Sequence, residues 1–142
     1  MPGSLLLLKY LNMKTINIST TKRVDLVNIT SQVQKVVSES SVDEGMVTVF
    51  VPHTTCGITI NEGADPDVIR DIKYQLEKLI PCQQGYQHLE GNADSHIKTC
   101  IVGSSENIII EKGKLVLGIW QSIFLCDFDG PRNRTVYIKI ID

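Results

Sequence analysis

The sequence predicts an α+β domain in which a largely antiparallel sheet packs with two or three helices. Two observations support this fold class: β-branched runs follow one another between turn residues, and helical periodicity recurs in only a few places. The chain has 142 residues, of which 42% are hydrophobic and 21% charged, which suits one globular domain. We expect residues 1–12 to be an N-terminal extension and residues 13–142 to form that domain.

Residues 14–60 carry three strand signals and one helix signal. Residues 14–27 are rich in threonine, alternate in places and predict a strand. Thr30 is a candidate cap for a helix over residues 31–39, whose valines fall on one face. Residues 46–51 form a continuous β-branched run that predicts a buried strand, and residues 57–60 predict a second, short strand.

The strongest helix start lies at Asp65-Pro66, where an acidic N-cap precedes proline at the first helical position. The helix is expected to end near Ile80, because Pro81 cannot continue it. Either Leu79 or Ile80 is expected to face inward at that end.

The second half of the chain predicts one short helix and four strands. Asp94 is a candidate cap for a helix through residue 102 that Gly103 ends. Residues 112–114 read as a hairpin turn and residues 129–132 as a further turn. The predicted strands are 107–111, 115–117, 121–128 and 135–141.

Composition excludes several classes of partner. The net charge of −2 gives no broad basic surface for nucleic acid or an acidic membrane. The leucine run at residues 5–8 is far shorter than the roughly 20 residues of a membrane span. The cysteines form no CxxC pair, and without an export signal they predict reduced thiols and a cytoplasmic protein. Cys100 and Cys126 lie in apolar positions and are expected in the core.

Polar chemistry concentrates around three histidines, His53, His88 and His96, which lie at element ends or in polar loops. Three neutral imidazoles are a common zinc ligand set, although their spacing does not show that they converge. Glu90 and Asp94 accompany the last two histidines, and such carboxylates orient an imidazole or act as acid and base. A hydrated loop with an aspartate cap is the alternative.

Other reactive groups have simpler alternatives. Cys56 would be a nucleophile if its side chain met His53, but a small core filler suits a strand edge better. Arg132 and Arg134 flank a turn and suit a phosphate group, or are ordinary surface arginines. Trp120 either presents a side chain to a ligand or is buried.

Seven blocks in one order resemble the YjbQ-like family, often labelled secondary thiamine-phosphate synthase enzymes. The blocks are VFVPHTT, GITINEGADPDV, HLEGNADSHIK, GSS, LGIWQ, LCDFDGPR and VYIKII. The likeness covers residues 13–142 and implies an α+β fold, a homotrimer, and one polar pocket near a subunit boundary that contains all three histidines. Cys56 stands where the family motif often has alanine or serine, which argues against a cysteine nucleophile.

The resemblance implies a small-molecule enzyme that joins a pyrimidine diphosphate and a thiazole phosphate, giving thiamine phosphate and pyrophosphate. A metal-dependent hydrolase and a non-catalytic trimeric protein that binds a metabolite are the alternatives. The metal would be zinc or magnesium. The candidate catalytic residues are His53, Glu62, Glu90 and Asp94; the candidate substrate-binding residues are Thr54, Asn61, Asn92, Gln121 and Arg132; the candidate metal ligands are His53, His88 and His96.

Overall fold

The computed structural model of the chain describes residues 13–142. Within these residues the strands and helices follow in the order β1 (Met13–Ser19), β2 (Asp25–Asn28), α1 (Thr30–Ser40), β3 (Gly45–Phe50), β4 (Cys56–Glu62), α2 (Pro66–Leu79), α3 (Ala93–Val102), β5 (Ser105–Glu111), β6 (Lys114–Leu115), β7 (Gln121–Asp127) and β8 (Asn133–Ile141). The predicted extension over residues 1–12 lies outside the described residues.

The strands form two antiparallel sheets, so the predicted α+β class is confirmed. The larger sheet has the order β1-β8-β3-β5-β6, and the smaller sheet has the order β2-β7-β4. Every strand pairing described in residues 13–142 is antiparallel. None of the helices in this part of the chain is long and apolar enough to cross a membrane.

One hydrophobic cluster joins both sheets and helix α1. Alternate residues of β3, Val47 and Val49, are buried, as period-two alternation requires when one face of a strand meets the core. Val33 and Val37 of α1 enter the same cluster. The opposite face of β3 exposes Met46 and other side chains, so the larger sheet buries only one of its faces here.

The single strand predicted over residues 14–27 is wrong. β1 ends at Ser19, opposite Asn133 in the larger sheet, and β2 pairs with β7 in the smaller sheet. The chain changes sheets between them, where the Thr21 amide and hydroxyl donate to the Asp25 carboxylate. Threonine supports both strand and turn, so composition could not locate this break.

Only one of the three predicted helix caps is confirmed. Asp65 accepts a hydrogen bond from the Asp67 amide at 2.9 Å and caps α2. Thr30 lies inside α1; its hydroxyl accepts from the Ile123 amide at 2.8 Å and ties the helix to β7. Asp94 likewise lies inside α3, whose N-cap is Asn92.

Helix α2 packs loosely on the smaller sheet through Ile69 and Leu76. At its end Ile80 is 8% exposed and Leu79 is 67% exposed, so Ile80 is the inward-facing residue. The prediction that Cys100 is buried is wrong, because it lies on the exposed side of α3. Cys126 is buried as predicted.

Candidate functional site

The predicted site residues lie at two opposite ends of the smaller sheet. β4 and β7 run antiparallel, with Cys56 opposite Asp127 at one end and Glu62 opposite Gln121 at the other. At roughly 3.3 Å per residue these ends are about 20 Å apart. We call the end beside Asp127 the histidine end, because His53 precedes it, and the end beside Glu62 the glutamate end.

His53 is held at the edge of the larger sheet by a backbone hydrogen bond. The β3–β8 ladder stops at Phe50 opposite Tyr137, and His53 Nε2 accepts from the Thr135 amide at 3.0 Å. A neutral imidazole that accepts at Nε2 carries its proton on Nδ1. Placed in this way, His53 presents a hydrogen-bond donor and has no free lone pair for a metal ion.

The surroundings of His53 favour its neutral form. Burial lowers the pKa of the imidazole, and the charge of Arg134 lowers it further; Asp127 opposes this and Arg132 adds to it. His53 therefore lies within electrostatic reach of Arg134 on β8 and of Arg132 just before that strand. Thr54, the neighbouring substrate-binding candidate, lies exposed in the turn between β3 and β4.

A buried ion pair between Asp127 and Arg134 lies beside His53. The Arg134 guanidinium donates to both carboxylate oxygens, at 3.0 and 2.7 Å, and to Thr55 Oγ1 at 2.8 Å. The Thr20 hydroxyl also donates to Asp127, at 2.6 Å. Burial raises the pKa of Asp127, but the hydrogen bonds from Arg134 and Thr20 outweigh it and hold the pKa below its ordinary value.

Sequence reasoning missed this pair. Arg134 looked like a surface residue, whereas it is only 4% exposed. The available signal was Asp127 itself, an acid within the apolar run from Ile123 to Phe128, because a buried carboxylate requires a cation or several donors.

The turn after β7 carries a second polar cluster centred on Asp129. One oxygen of its carboxylate, Oδ2, accepts from Asn92 Nδ2 at 2.9 Å and from Arg132 Nη2 at 3.0 Å. The Arg132 side chain is 55% exposed. A Cβ at Gly130 would collide with the Lys22 carbonyl, so this close approach of two backbones requires glycine.

Asp94, a predicted catalytic residue, is buried and bound on both oxygens. Arg23 donates to them at 2.9 and 3.2 Å, and Lys98 Nζ lies 2.9 Å from Oδ2. Lys98, itself buried, also binds Glu77 at 2.8 Å. Burial raises the pKa of Asp94, but Arg23 and Lys98 bring it below its ordinary value. A base needs a free lone pair and a pKa near the working pH, so this geometry assigns Asp94 to anchoring α3.

The structure brings two of the three predicted metal ligands together. The rings of His88 and His96 meet edge to face, with centroids 5.2 Å apart. Glu90 lies 3.7 Å from His88 Nε2. Within residues 13–142, however, no group of three or more histidine, cysteine, aspartate or glutamate side chains is placed to hold a metal ion. The three-histidine set is therefore not formed within the described part of one chain.

At the glutamate end, within the described part of the chain, Asn61, Glu62 and Gln121 bond to groups close to them in sequence. Glu62 accepts from the Asp65 amide at 3.2 Å, and Asn61 accepts from the Glu62 amide at 2.8 Å. Gln121 accepts from the Gly118 amide at 2.8 Å. Trp120 beside it is 61% exposed, so the prediction that this side chain is buried is wrong for the single chain.

Cys56 is a core residue. Its side chain is buried, and burial raises the pKa of the thiol to about 12. The reactive form of cysteine is the thiolate, so the expectation against a nucleophilic Cys56 agrees with its environment.

The sequence matches one protein family over almost the whole chain. The family model described as UPF0047 protein YjbQ-like matches residues 14–142. The chain belongs to the YjbQ-like (UPF0047) family. A UPF0047 protein of Methanocaldococcus jannaschii is 54% identical over 124 residues, which cover 87% of this chain and 90% of that protein. The family member YugU of Bacillus subtilis is 45% identical over 130 residues, which cover 91% and 98%.

Solved structures of YjbQ-like proteins share the fold. An uncharacterized family member from Clostridium acetobutylicum aligns with a TM-score of 0.89 at 52% identity, over 90% of this chain and 99% of that chain. A YbjQ-like protein of unknown function from Sulfolobus solfataricus aligns with a TM-score of 0.87 at 32% identity, over 90% and 94%. The resemblance seen in the sequence is thereby confirmed for the family and its fold.

Proposed function

We propose that the histidine end binds the phosphate group of a small molecule and that the protein is an enzyme acting on that molecule. The observation that carries this proposal is the donor pair of His53 and Arg132. His53 presents Nδ1–H because Thr135 occupies Nε2. Arg132 is tied to the same network, because its amide donates to the Thr20 hydroxyl that binds Asp127. Phosphate accepts hydrogen bonds from such donors, and most strongly from guanidinium.

The carboxylates at the histidine end are all paired, which reduces their repulsion of an anionic ligand. Asp127 is paired with Arg134, Asp94 with Arg23 and Lys98, and Asp129 with Arg132 itself. Arg132 uses Nε and Nη2 on Asp129, which leaves its other N–H donors for a ligand. Asn92, bound to the same carboxylate oxygen, would border that ligand.

We further propose that a homotrimer completes the site. Asn61, Glu62 and Gln121 lie at the glutamate end, about 20 Å from the histidine end of the same chain, so they could join His53 only from a neighbouring copy. The exposed Ile119 and Trp120 at that end suit burial at a subunit boundary. Sedimentation of the purified protein tests this assembly: a monomer over the micromolar range contradicts it.

The reaction we propose is a transfer in which a phosphorylated group leaves, as in thiamine-phosphate synthesis. There a C–N bond forms to the thiazole nitrogen, the C–O bond to diphosphate breaks, and diphosphate carries away the electron pair. His53 and Arg132 would stabilise the leaving anion, while Glu62 or Glu90 would act as the general acid that protonates the leaving diphosphate.

The location we propose for the protein is the cytoplasm. All four cysteines are free thiols, which suits that reducing compartment.

The decisive experiment incubates the purified protein with the pyrimidine diphosphate and the thiazole phosphate, with and without magnesium or zinc. Thiamine phosphate should form, and Arg132→Gln should slow its formation at least about tenfold by removing a charge-assisted hydrogen bond. Arg70→Gln is the matched control, because Arg70 is an exposed arginine on α2, bonded to Asp67. The absence of product under all conditions, with no binding of inorganic phosphate, rejects the proposal. Binding without turnover points to the non-catalytic alternative.

A second candidate, a metal-dependent hydrolase, is favoured by the contact between His88 and His96. Two imidazoles with a third ligand from a neighbouring chain would fit zinc, whereas magnesium prefers oxygen ligands and phosphate. Elemental analysis after zinc loading tests it. One zinc per chain that is lost in both His88→Ala and His96→Ala supports the hydrolase; no bound zinc rejects it.

A further inference from the structure

Arg134 is buried next to the backbone group that holds His53. β8 is paired on one side with β1, where Asn17 lies opposite Thr135. On its other side the ladder with β3 has already ended at Tyr137. His53 accepts from the Thr135 amide, which therefore belongs to a strand edge that no strand among residues 13–142 covers. The position of this amide depends on what fixes that edge.

The Arg134 side chain fixes this strand edge by binding to the smaller sheet. It leaves β8 of the larger sheet and binds both oxygens of Asp127 on β7 of the smaller sheet. Thr55, just before β4, accepts a third hydrogen bond. Asp127 is itself held by the Thr20 hydroxyl and the Asp129 amide. A forked guanidinium fixed at three points has little freedom to rotate.

We infer that Arg134 is the positioning residue of His53: it fixes the Thr135 amide so that the imidazole keeps its proton on Nδ1, directed to the ligand. The inference rests on the proposed function in one respect only, that the Nδ1–H of His53 meets a phosphate. A purely structural Arg134 would stabilise the fold without controlling the tautomer.

The test measures the His53 tautomer by ¹⁵N NMR and the affinity for inorganic phosphate in the same samples. Arg134→Lys keeps the charge but loses the fork, so we expect a mixture of Nδ1–H and Nε2–H forms and phosphate binding weakened about tenfold or more. His53→Gln gives the reference affinity without the imidazole.

A pair of matched variants guards against misfolding of Arg134→Lys. Thr55→Val removes a hydroxyl that binds Arg134. Thr30→Val is the matched control, because the Thr30 hydroxyl accepts from the Ile123 amide and lies outside the network around Asp127. Thr55→Val should shift the tautomer ratio and weaken phosphate binding about fivefold, the worth of one hydrogen bond. Thr30→Val should leave both within about twofold of wild type.

The outcomes separate this inference from the proposed function. A wild-type His53 protonated on Nε2, or equal tautomer ratios in wild type, Thr55→Val and any folded Arg134→Lys, overturns the inference even if phosphate binds. A tautomer that follows Arg134 supports it even if phosphate does not bind, in which case only the proposed function fails.

Discussion

The two ends of the smaller sheet carry similar polar residues in different physical states. At the histidine end, the carboxylates of Asp127 and Asp94 are buried. Each accepts a hydrogen bond from a residue far away in sequence, Asp127 from Thr20 and Asp94 from Arg23. At the glutamate end, Asn61 and Glu62 bond to backbone amides one to three residues away. The hydrogen bonds at the histidine end therefore connect separate elements of the fold, whereas those at the glutamate end shape their own turn.

This difference separates carboxylates that anchor the fold from carboxylates that are free to bind a ligand or a neighbouring subunit. A buried carboxylate with two cationic partners is costly to disturb and is not free for chemistry. An exposed one contributes little to stability but is free to meet a ligand or a neighbouring subunit. We therefore expect substitutions of the buried carboxylates at the histidine end to affect folding, and substitutions of the exposed side chains at the glutamate end to affect assembly and activity.

The largest expected effect is that of Asp127→Asn. The substitution leaves the buried Arg134 charge unmatched, which should lower the free energy of unfolding by about 3–5 kcal/mol. Urea denaturation followed by circular dichroism measures it. A loss below about 1 kcal/mol would show that the network tolerates an unpaired guanidinium and would remove the contrast between the two ends.

Acidification should weaken the histidine end in two stages. The folded chain lowers the pKa of His53 below 6.5 and those of Asp94 and Asp127 below 3.8, so the unfolded chain binds protons first as pH falls. Stability from His53 is present above pH 6.5 and is lost as pH falls through its folded pKa; stability from the two aspartates is lost below about pH 4. Denaturation at a series of pH values measures both stages.

The variant His53→Gln provides the control for the first stage. It should flatten the decline that begins near pH 6.5 and leave the decline of the aspartates unchanged. A stability that rises on acidification from pH 7 to pH 5 in the wild type would contradict the assigned direction.

Asp65→Ala should have an intermediate effect near the glutamate end. It removes the side chain that accepts from the Asp67 amide, and loss of such an N-cap costs about 1 kcal/mol. Asp71→Ala, an exposed change within the same helix, should stay within about 0.5 kcal/mol of wild type. Equal midpoints in urea for both variants would show that the cap contributes nothing.

Glu62→Gln should have the smallest effect on stability. Among the residues that the structure describes, its side chain bonds only to the nearby Asp65 amide, so we expect a change within about 0.5 kcal/mol. The same variant should nevertheless reduce turnover if a neighbouring copy brings Glu62 to the histidine end. Unchanged turnover with unchanged stability would remove the glutamate end from the site.

Several features were predictable from local sequence because they depend on neighbouring residues. Asp65-Pro66 starts α2 because a side-chain acceptor and a fixed proline φ act within three residues. The β-branched run over residues 46–51 predicted the strand β3 for the same reason. The break after Ser19 was missed, since the change of sheet depends on pairing with β8 and β7.

The sequence by itself determined the α+β class, the main elements and, through seven motif blocks, the YjbQ-like family. It also identified the histidines as residues of interest. Only the tertiary structure decided that Asp94 anchors a helix, that Arg134 is buried against Asp127, and that Glu62 lies at the opposite end of the sheet from His53. The physical reason is range: propensity and capping act over a few residues, whereas burial and ion pairing depend on which distant elements pack together.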